Sequence, residues 1–394
     1  MRRLIAFVAA VLLVLIAAAV FQYTRPIPAV QPAVTLTTNQ PSRSSPYLPW
    51  PTVGEAAVAL AGSGELGAYG YAIPRPIASV AKLMTALVVL QDHPLAPGQK
   101  GDSITVSDAD KSATDAAAAE GQSVVKVEAG EHLTEYELLQ GLLIPSGNNL
   151  ATMLARWDAG DVAGFVARMN SRARSLGMRQ THFDDPSGFS DRTVSTSRDL
   201  LRLAAEALAS PVVVEIAAQP QAELPVAGTV YNVDYALGRS GISGLKTGSS
   251  PGAAACFVFS AQVAIGALRV TVIGAVMAQP TLDDAFAVSE RLIGAARDGL
   301  TIERIITAGQ PVGFYQAPWG SRAQAVAANE VQLPVWHGRK PRLQPRLDTV
   351  QAPLAAGSRV GSLAVGDLPA QQVPVTTDRP IFQPGRLWRL TRLA

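Results

Sequence analysis

Four hydrophobic textures follow one another along the chain. Arg2 and Arg3 precede an unbroken apolar run from Leu4 to Phe21, and Arg25 and Pro26 close it. A positive flank before an apolar stretch is an export signal. This run outlasts the about 7–15 residues of a signal core and reaches the about 17–25 needed to span a bilayer. It predicts a membrane anchor over residues 1–23. The alternative is a cleaved signal, with Ala17-Ala18-Ala19 as the cleavage site. Positive charge stays on the cytoplasmic side, so either reading leaves the body outside the cytoplasmic membrane. Residues 24–51 are rich in Pro, Thr, Ser and Gln without apolar periodicity, and read as an extended linker.

From residue 52 to 299 helical and strand patterns are mixed. "TEYELLQGLLI" opens with Thr134 and Glu137 at capping-box spacing and stops before Pro145. Val162, Phe165, Val166 and Met169 recur at helical spacing, and Gly177 falls where a C-cap belongs. "RDLLRLAAEALA" and "LDDAFAVSERLIGAARDG" also predict helices. "GAAACFVFSAQV" and "LRVTVIGAVMA" predict neighbouring buried strands. From 300 to 394 no long helix pattern remains. Short alternating segments such as "RIITAGQPVGFY", separated by Pro and Gly, predict a small all-β domain. The fold class is therefore mixed α/β followed by β.

Composition narrows the chemistry. Lys and Arg total 33 and Asp and Glu 31, so no electrostatic case exists for nucleic acid. His93, His132, His182 and His337 are scattered without ligand spacing; no metal or other cofactor is expected. Cys256 is the single cysteine and lies in an apolar stretch, which predicts a buried core thiol.

One polar pair interrupts an apolar helix. "IASVAKLMTALVVL" places Ser79 and Lys82 one turn apart on a helix that is apolar on nearly every other face. A lysine there loses hydration, its pKa falls, and the neutral amine can accept a hydroxyl proton. The alternative is a capping serine beside a lysine that snorkels to water. Ser-x-x-Lys alone arises by chance on the order of once in such a chain. Two further segments add weight: "IPSGNNLA", with Ser146, Gly147 and Asn148, and "GISGLKTGSSPG", with Lys246, Thr247 and Gly248. The order Ser-x-x-Lys, Ser-x-Asn, Lys-Thr-Gly is the three-part signature of penicillin-binding proteins and related β-lactamases.

With "THFDDPSGFSDRTVSTSRDLLRLA" between the second and third motifs, the stretch from Pro74 to Leu300 resembles the D-alanyl-D-alanine carboxypeptidases among the low-molecular-mass penicillin-binding proteins. The resemblance implies a transpeptidase-like fold, with an antiparallel sheet flanked by helices and a helical subdomain over 52–299, and a small β domain after it. It implies peptidoglycan stem peptides ending in D-Ala-D-Ala as substrate and β-lactams as covalent inhibitors. It also implies roles: Ser79 as nucleophile, Lys82 as base, Ser146 as proton donor to the leaving amine, Asn148 on the substrate amide, and Lys246 with Thr247 on the terminal carboxylate. Gly248 leaves room for substrate along the strand, and the N–H groups of Ser79 and Ser249 form the oxyanion hole.

Some positions depart from the family wording. Gly147 stands where Ala or Asp is common, which adds freedom to that loop. "ALAGSGELGAYGYA" is a degraded form of the strand before the nucleophile. Asp283, Asp284 and Ala285 precede Phe286 where some members place an arginine. The terminal "GRLWRLTRLA" reads as a strand, with weak membrane contact through its basic and aromatic residues as the alternative. Competing functions are a β-lactamase and a non-catalytic sensor of penicillin or peptidoglycan.

Overall fold

The computed structural model describes residues 2–36, 48–266, 268–337, 341–366 and 370–392. Most of the middle of the expected linker, 37–47, lies outside the described residues. Ten helices are present among them: α1 Arg2–Thr24, α2 Lys82–Asp92, α3 Asp108–Ala119, α4 Glu135–Leu143, α5 Asn148–Ala159, α6 Val162–Ser175, α7 Ser197–Leu208, α8 Pro211–Ala217, α9 Leu282–Asp298 and α10 Arg386–Thr391.

A five-stranded antiparallel sheet organises the centre. Its order is Ile242–Ser250, Ala254–Ile265, Leu268–Gln279, Glu55–Leu60, Gly64–Tyr69. The middle strands are apolar on both faces, and the period of two sorts their side chains into two cores. Ala57, Ala59, Val258, Ile273 and Met277 join one core with α2, α4, α5 and α7. Ala56, Val58, Leu60, Phe257, Phe259 and Val276 join the other with α9, where Phe286 meets Phe257 edge-on at 5.0 Å. The "degraded" segment is the hairpin joining Glu55–Leu60 to Gly64–Tyr69.

The capping box predicted at Thr134 and Glu137 opens α4, and an equivalent box at Thr281 and Asp284 opens α9. Asp284 thus has a local role at the start of this helix. Helix α2 is buried from Lys82 to Val89 and is packed by α4, α5, α6 and α7. Its all-round apolar sequence requires this central position.

After α9 the chain forms a two-stranded ladder, Leu300–Ile306 with Val331–Trp336, and a six-stranded sheet with its own core around Val312, Tyr315, Leu363 and Val375. Two expectations change here. Pro32–Val34, read as linker, adds an edge strand to this sheet against Gly313–Tyr315, and Val30 bridges Val350. The terminal segment read as a strand is helix α10. It packs beside the end of α1: Arg392 donates to the carbonyls of Gln22, Arg25 and Pro26, and the Gln22 amide donates to the Arg392 carbonyl. Helix α1 is exposed from Phe7 to Phe21, and Phe7–Thr24 is long and apolar enough to cross a membrane, a property shared with signal sequences.

Candidate active site

The cleft lies where α2 begins, beside the outer strand of the central sheet. Ile77 donates to the Thr193 carbonyl, and a 3-10 turn over Ala78–Ala81 feeds into α2. Ala78 has φ of 46°, a left-handed conformation that is unusual for a residue with a side chain. Such strain concentrates at functional sites. Gly188 packs so closely over Ala78 that a Cβ would sit 1.8 Å from its carbonyl oxygen. Ser79 follows in this clamped turn. It caps neither helix, because the cap positions are Ile77 and Ala81.

Lys82 is fully buried, which removes the snorkelling alternative. Its Nζ lies 2.8 Å from Ser79 Oγ, 2.6 Å from Asn148 Oδ1 and 3.0 Å from the Ser187 carbonyl oxygen. Two of these partners can only accept; the hydroxyl can accept or donate. A neutral amine has two protons and one lone pair, which matches that set. Burial pushes the Lys82 pKa well below its ordinary value, nearby Lys246 pushes it further, and Asp185 opposes both.

Ser146 sits in the turn between α4 and α5, and Asn148 opens α5. Ser146 is buried with φ of 69°, and its Oγ has no hydrogen-bond partner among the described residues. Gly147 has an ordinary φ of −62°, so it adds no freedom. Its value is space: a Cβ would meet Val125 Cγ2 at 2.9 Å and the Gly141 oxygen at 3.0 Å. Asn148 continues outward, donating from Nδ2 to Gln122 Oε1 at 2.9 Å.

Lys246, Thr247 and Gly248 lie on the outer strand, paired with Val258, Phe257 and Cys256. Lys246 is buried and donates to the Thr247 carbonyl at 3.2 Å. Burial lowers its pKa to about 8 against the opposing charge of Asp234. A Cβ on Gly248 would lie 2.6 Å from the Ile77 oxygen and 3.0 Å from the Ser79 nitrogen. The missing side chain makes room for the turn that carries Ser79. Ser249 is exposed at the strand end. Cys256 is a buried free thiol, as expected, with its pKa raised to about 11 by burial.

Two supporting carboxylates, Asp185 and Asp234, are not singled out by the sequence patterns. Asp185 accepts from Ser187 N, Ser187 Oγ, Phe189 N and Thr193 Oγ1, and so shapes the turn that offers the Ser187 carbonyl to Lys82. The Asp-Pro-Ser-Gly wording was its signal. Asp234 is buried behind Lys246. One carboxylate oxygen accepts from Ala236 N and the other has no partner among the described residues; burial raises its pKa to about 6.

A hydroxyl against a desolvated amine, with a second buried cation alongside, defines a serine hydrolase. The profile of the D-alanyl-D-alanine carboxypeptidase family (Peptidase_S11) matches residues 68–281, and the chain belongs to that family. It is 32% identical to the D-alanyl-D-alanine carboxypeptidase of Streptomyces sp. strain K15 over 53% of this chain and 74% of that protein. The crystal structure of the Streptomyces K15 DD-transpeptidase superposes with a TM-score of 0.54 at 29% identity, over 62% of this chain and 97% of that one. Penicillin binding protein 5 from Haemophilus influenzae shares the fold, with a TM-score of 0.66 at 20% identity over 87% of this chain and all of the other.

Proposed function

We propose that this enzyme removes the terminal D-alanine of peptidoglycan stem peptides through an acyl-enzyme on Ser79. The observation that carries this is the Lys82 amine, buried and 2.8 Å from Ser79 Oγ, with two other partners that can only accept. Lys82 takes the Ser79 proton as Oγ attacks the carbonyl between the two D-alanines. The N–H groups of Ser79 and Ser249 hold the resulting oxyanion, worth about 2.7–4 kcal/mol per donor in such sites. Ser146, buried with a free hydroxyl, delivers a proton to the leaving D-alanine nitrogen. Lys246 and Thr247 bind the terminal carboxylate, and Asn148 holds the amide on the acyl side. Water then attacks the ester and regenerates Ser79. β-Lactams acylate the same hydroxyl. The work is done outside the cytoplasmic membrane, with α1 as the anchor.

The test is D-alanine release from a pentapeptide ending in D-Ala-D-Ala, read by mass, for the wild type and Ser79→Ala. Loss of release by at least about 10³-fold is expected, the scale of removing a nucleophile. Unchanged release overturns the assignment. Rapid turnover of a fluorescent penicillin in place of a long-lived label would favour a β-lactamase.

A further inference from the structure

One short segment touches both members of the Ser79–Lys82 pair. The Ser187 carbonyl accepts from Lys82 Nζ at 3.0 Å. The Pro186 carbonyl accepts from Thr85 Oγ1 at 2.6 Å, one turn further along α2. Gly188 lies against Ala78, the residue before the nucleophile. The same few residues therefore fix the base and the backbone that carries the hydroxyl. Residues 184–193 lie outside every helix and strand among the described residues, so no ladder holds this shape. The Asp185 carboxylate holds it instead. Oδ2 accepts from Ser187 N at 3.1 Å, as in an Asx-turn, and also from Ser187 Oγ at 2.6 Å and Phe189 N at 3.0 Å. Oδ1 accepts from Thr193 Oγ1 at 2.7 Å and Ser190 N at 3.4 Å. Every one of these contacts is a donor, the set that a carboxylate requires.

We propose that Asp185 is a positioning residue for the Ser79–Lys82 pair: by holding the Ser187 carbonyl on the amine, it aims the Lys82 lone pair at Ser79 Oγ. This rests on the reading that a neutral Lys82 takes the Ser79 proton. A neutral amine has two N–H bonds and one lone pair. Asn148 Oδ1 and the Ser187 carbonyl can only accept, so they take the two protons and leave the lone pair to the hydroxyl. Without that carbonyl one N–H is free to turn toward Ser79, and the geometry for proton transfer is lost. The charge of Asp185 has a second effect. Burial lowers the Lys82 pKa most; of the charged groups acting on it, Lys246 on the outer strand lowers it further and Asp185 raises it. Its other side-chain partners, Ser79 and Asn148, are uncharged. Asp185 thus keeps the base strong enough to hold a proton beside a second lysine.

The test is the pH profile of kcat/KM for D-alanine release by the full chain, as wild type, Asp185→Asn and Asp185→Ala. Asparagine keeps the segment and removes the charge. Its Oδ1 still accepts from Ser187 and Phe189, and its amide donates to Thr193 Oγ1, a hydroxyl that accepts as well as donates. Asp185→Asn is therefore expected to retain most of the rate at its optimum, with the acid limb moved to lower pH by up to about one unit, the low end of what a neighbouring opposite charge contributes. Alanine removes both effects. Asp185→Ala is expected to lose on the order of 10²-fold at every pH, the cost of a misplacement near 1 Å, in a protein that still folds by circular dichroism. Should the alanine variant not fold, the acid limb of Asp185→Asn decides alone. An unmoved acid limb in Asp185→Asn, near wild-type turnover in Asp185→Ala, or an asparagine variant as slow as the alanine one would each overturn the assignment. The wild type separates the two layers. If it neither releases D-alanine nor labels with a fluorescent penicillin, the catalytic reading fails; if it does both while the variants depart from these outcomes, the role of Asp185 fails alone.

Discussion

At the residue scale, the site depends on close approach of backbone to backbone. Gly248→Ala places a methyl 2.6 Å from the Ile77 oxygen and 3.0 Å from the Ser79 nitrogen. Neither neighbour is a flexible side chain. The nucleophile turn must shift, and a misplacement near 1 Å costs on the order of 10²-fold. A fall of that size in kcat/KM is expected in a variant that still folds by circular dichroism; near-normal turnover would show that the strand edge does not position Ser79. The two buried lysines also set a pH window. In the proposed mechanism Lys82 is neutral, to accept a proton, and Lys246 is charged, to bind a carboxylate. Activity therefore rises with pH as Lys82 loses its proton and falls through about pH 8 as Lys246 loses its own. Asp234 raises the Lys246 pKa, so Asp234→Asn is expected to move the alkaline limb to lower pH in a kcat/KM profile. An unmoved limb would mean that another group sets it.

At the element scale, α4 offers a test of buried charge. Glu135 occupies its first turn, is buried, and has one oxygen without a partner. Burial raises its pKa to about 7, and Asp102 and Asp158 add to the shift. A carboxyl whose folded pKa is raised contributes stability below its unfolded pKa and loses it as pH rises through the folded value. The protein should therefore lose stability between pH 4.5 and 7 from this group, by less than the full shift would give because solvent screens part of the charge. Glu135→Gln should melt higher than wild type at pH 8 and close to it at pH 4.5. Equal melting at both would contradict a buried charge there. The elements that sequence revealed share one property, a long apolar period. Helices α4, α6, α7 and α9 and the strands 254–265 and 268–279 all bury a face that the pattern announces. Helix α3 escaped because its sequence, DADKSATDAAAA, buries only Thr114. Strand Pro32–Val34 escaped because its partner lies far along the chain, and three residues carry no periodicity. Helix α10 was misread because its arginines and leucines recur every third residue over too short a stretch to separate the two periods. Within the site, the three motifs were legible as wording. The supporting carboxylates Asp185 and Asp234 were not, because their effect depends on burial that no local pattern reports.

At the scale of the whole molecule, the two ends of the described chain meet. Arg392 bonds to three carbonyls after the apolar part of α1, and Arg389 lies over the Tyr23 ring at 5.3 Å. Arg392→Ala should raise amide hydrogen exchange over residues 22–28 several-fold in detergent while leaving turnover of a soluble peptide unchanged; unaltered exchange would mean that the contact contributes nothing. The sheet provides a second reporter. Cys256 is the sole thiol, lies fully buried, and pairs in register with Gly248 on the strand that carries Lys246. Its sulfur projects from the sheet face into the core beneath the Ser79 turn, beside the Pro76 carbonyl, so a maleimide dye reaches it only when that layer lifts, and the rate of alkylation clocks that opening in the native enzyme. Any occupant that tightens the cleft should slow that clock without being labelled itself.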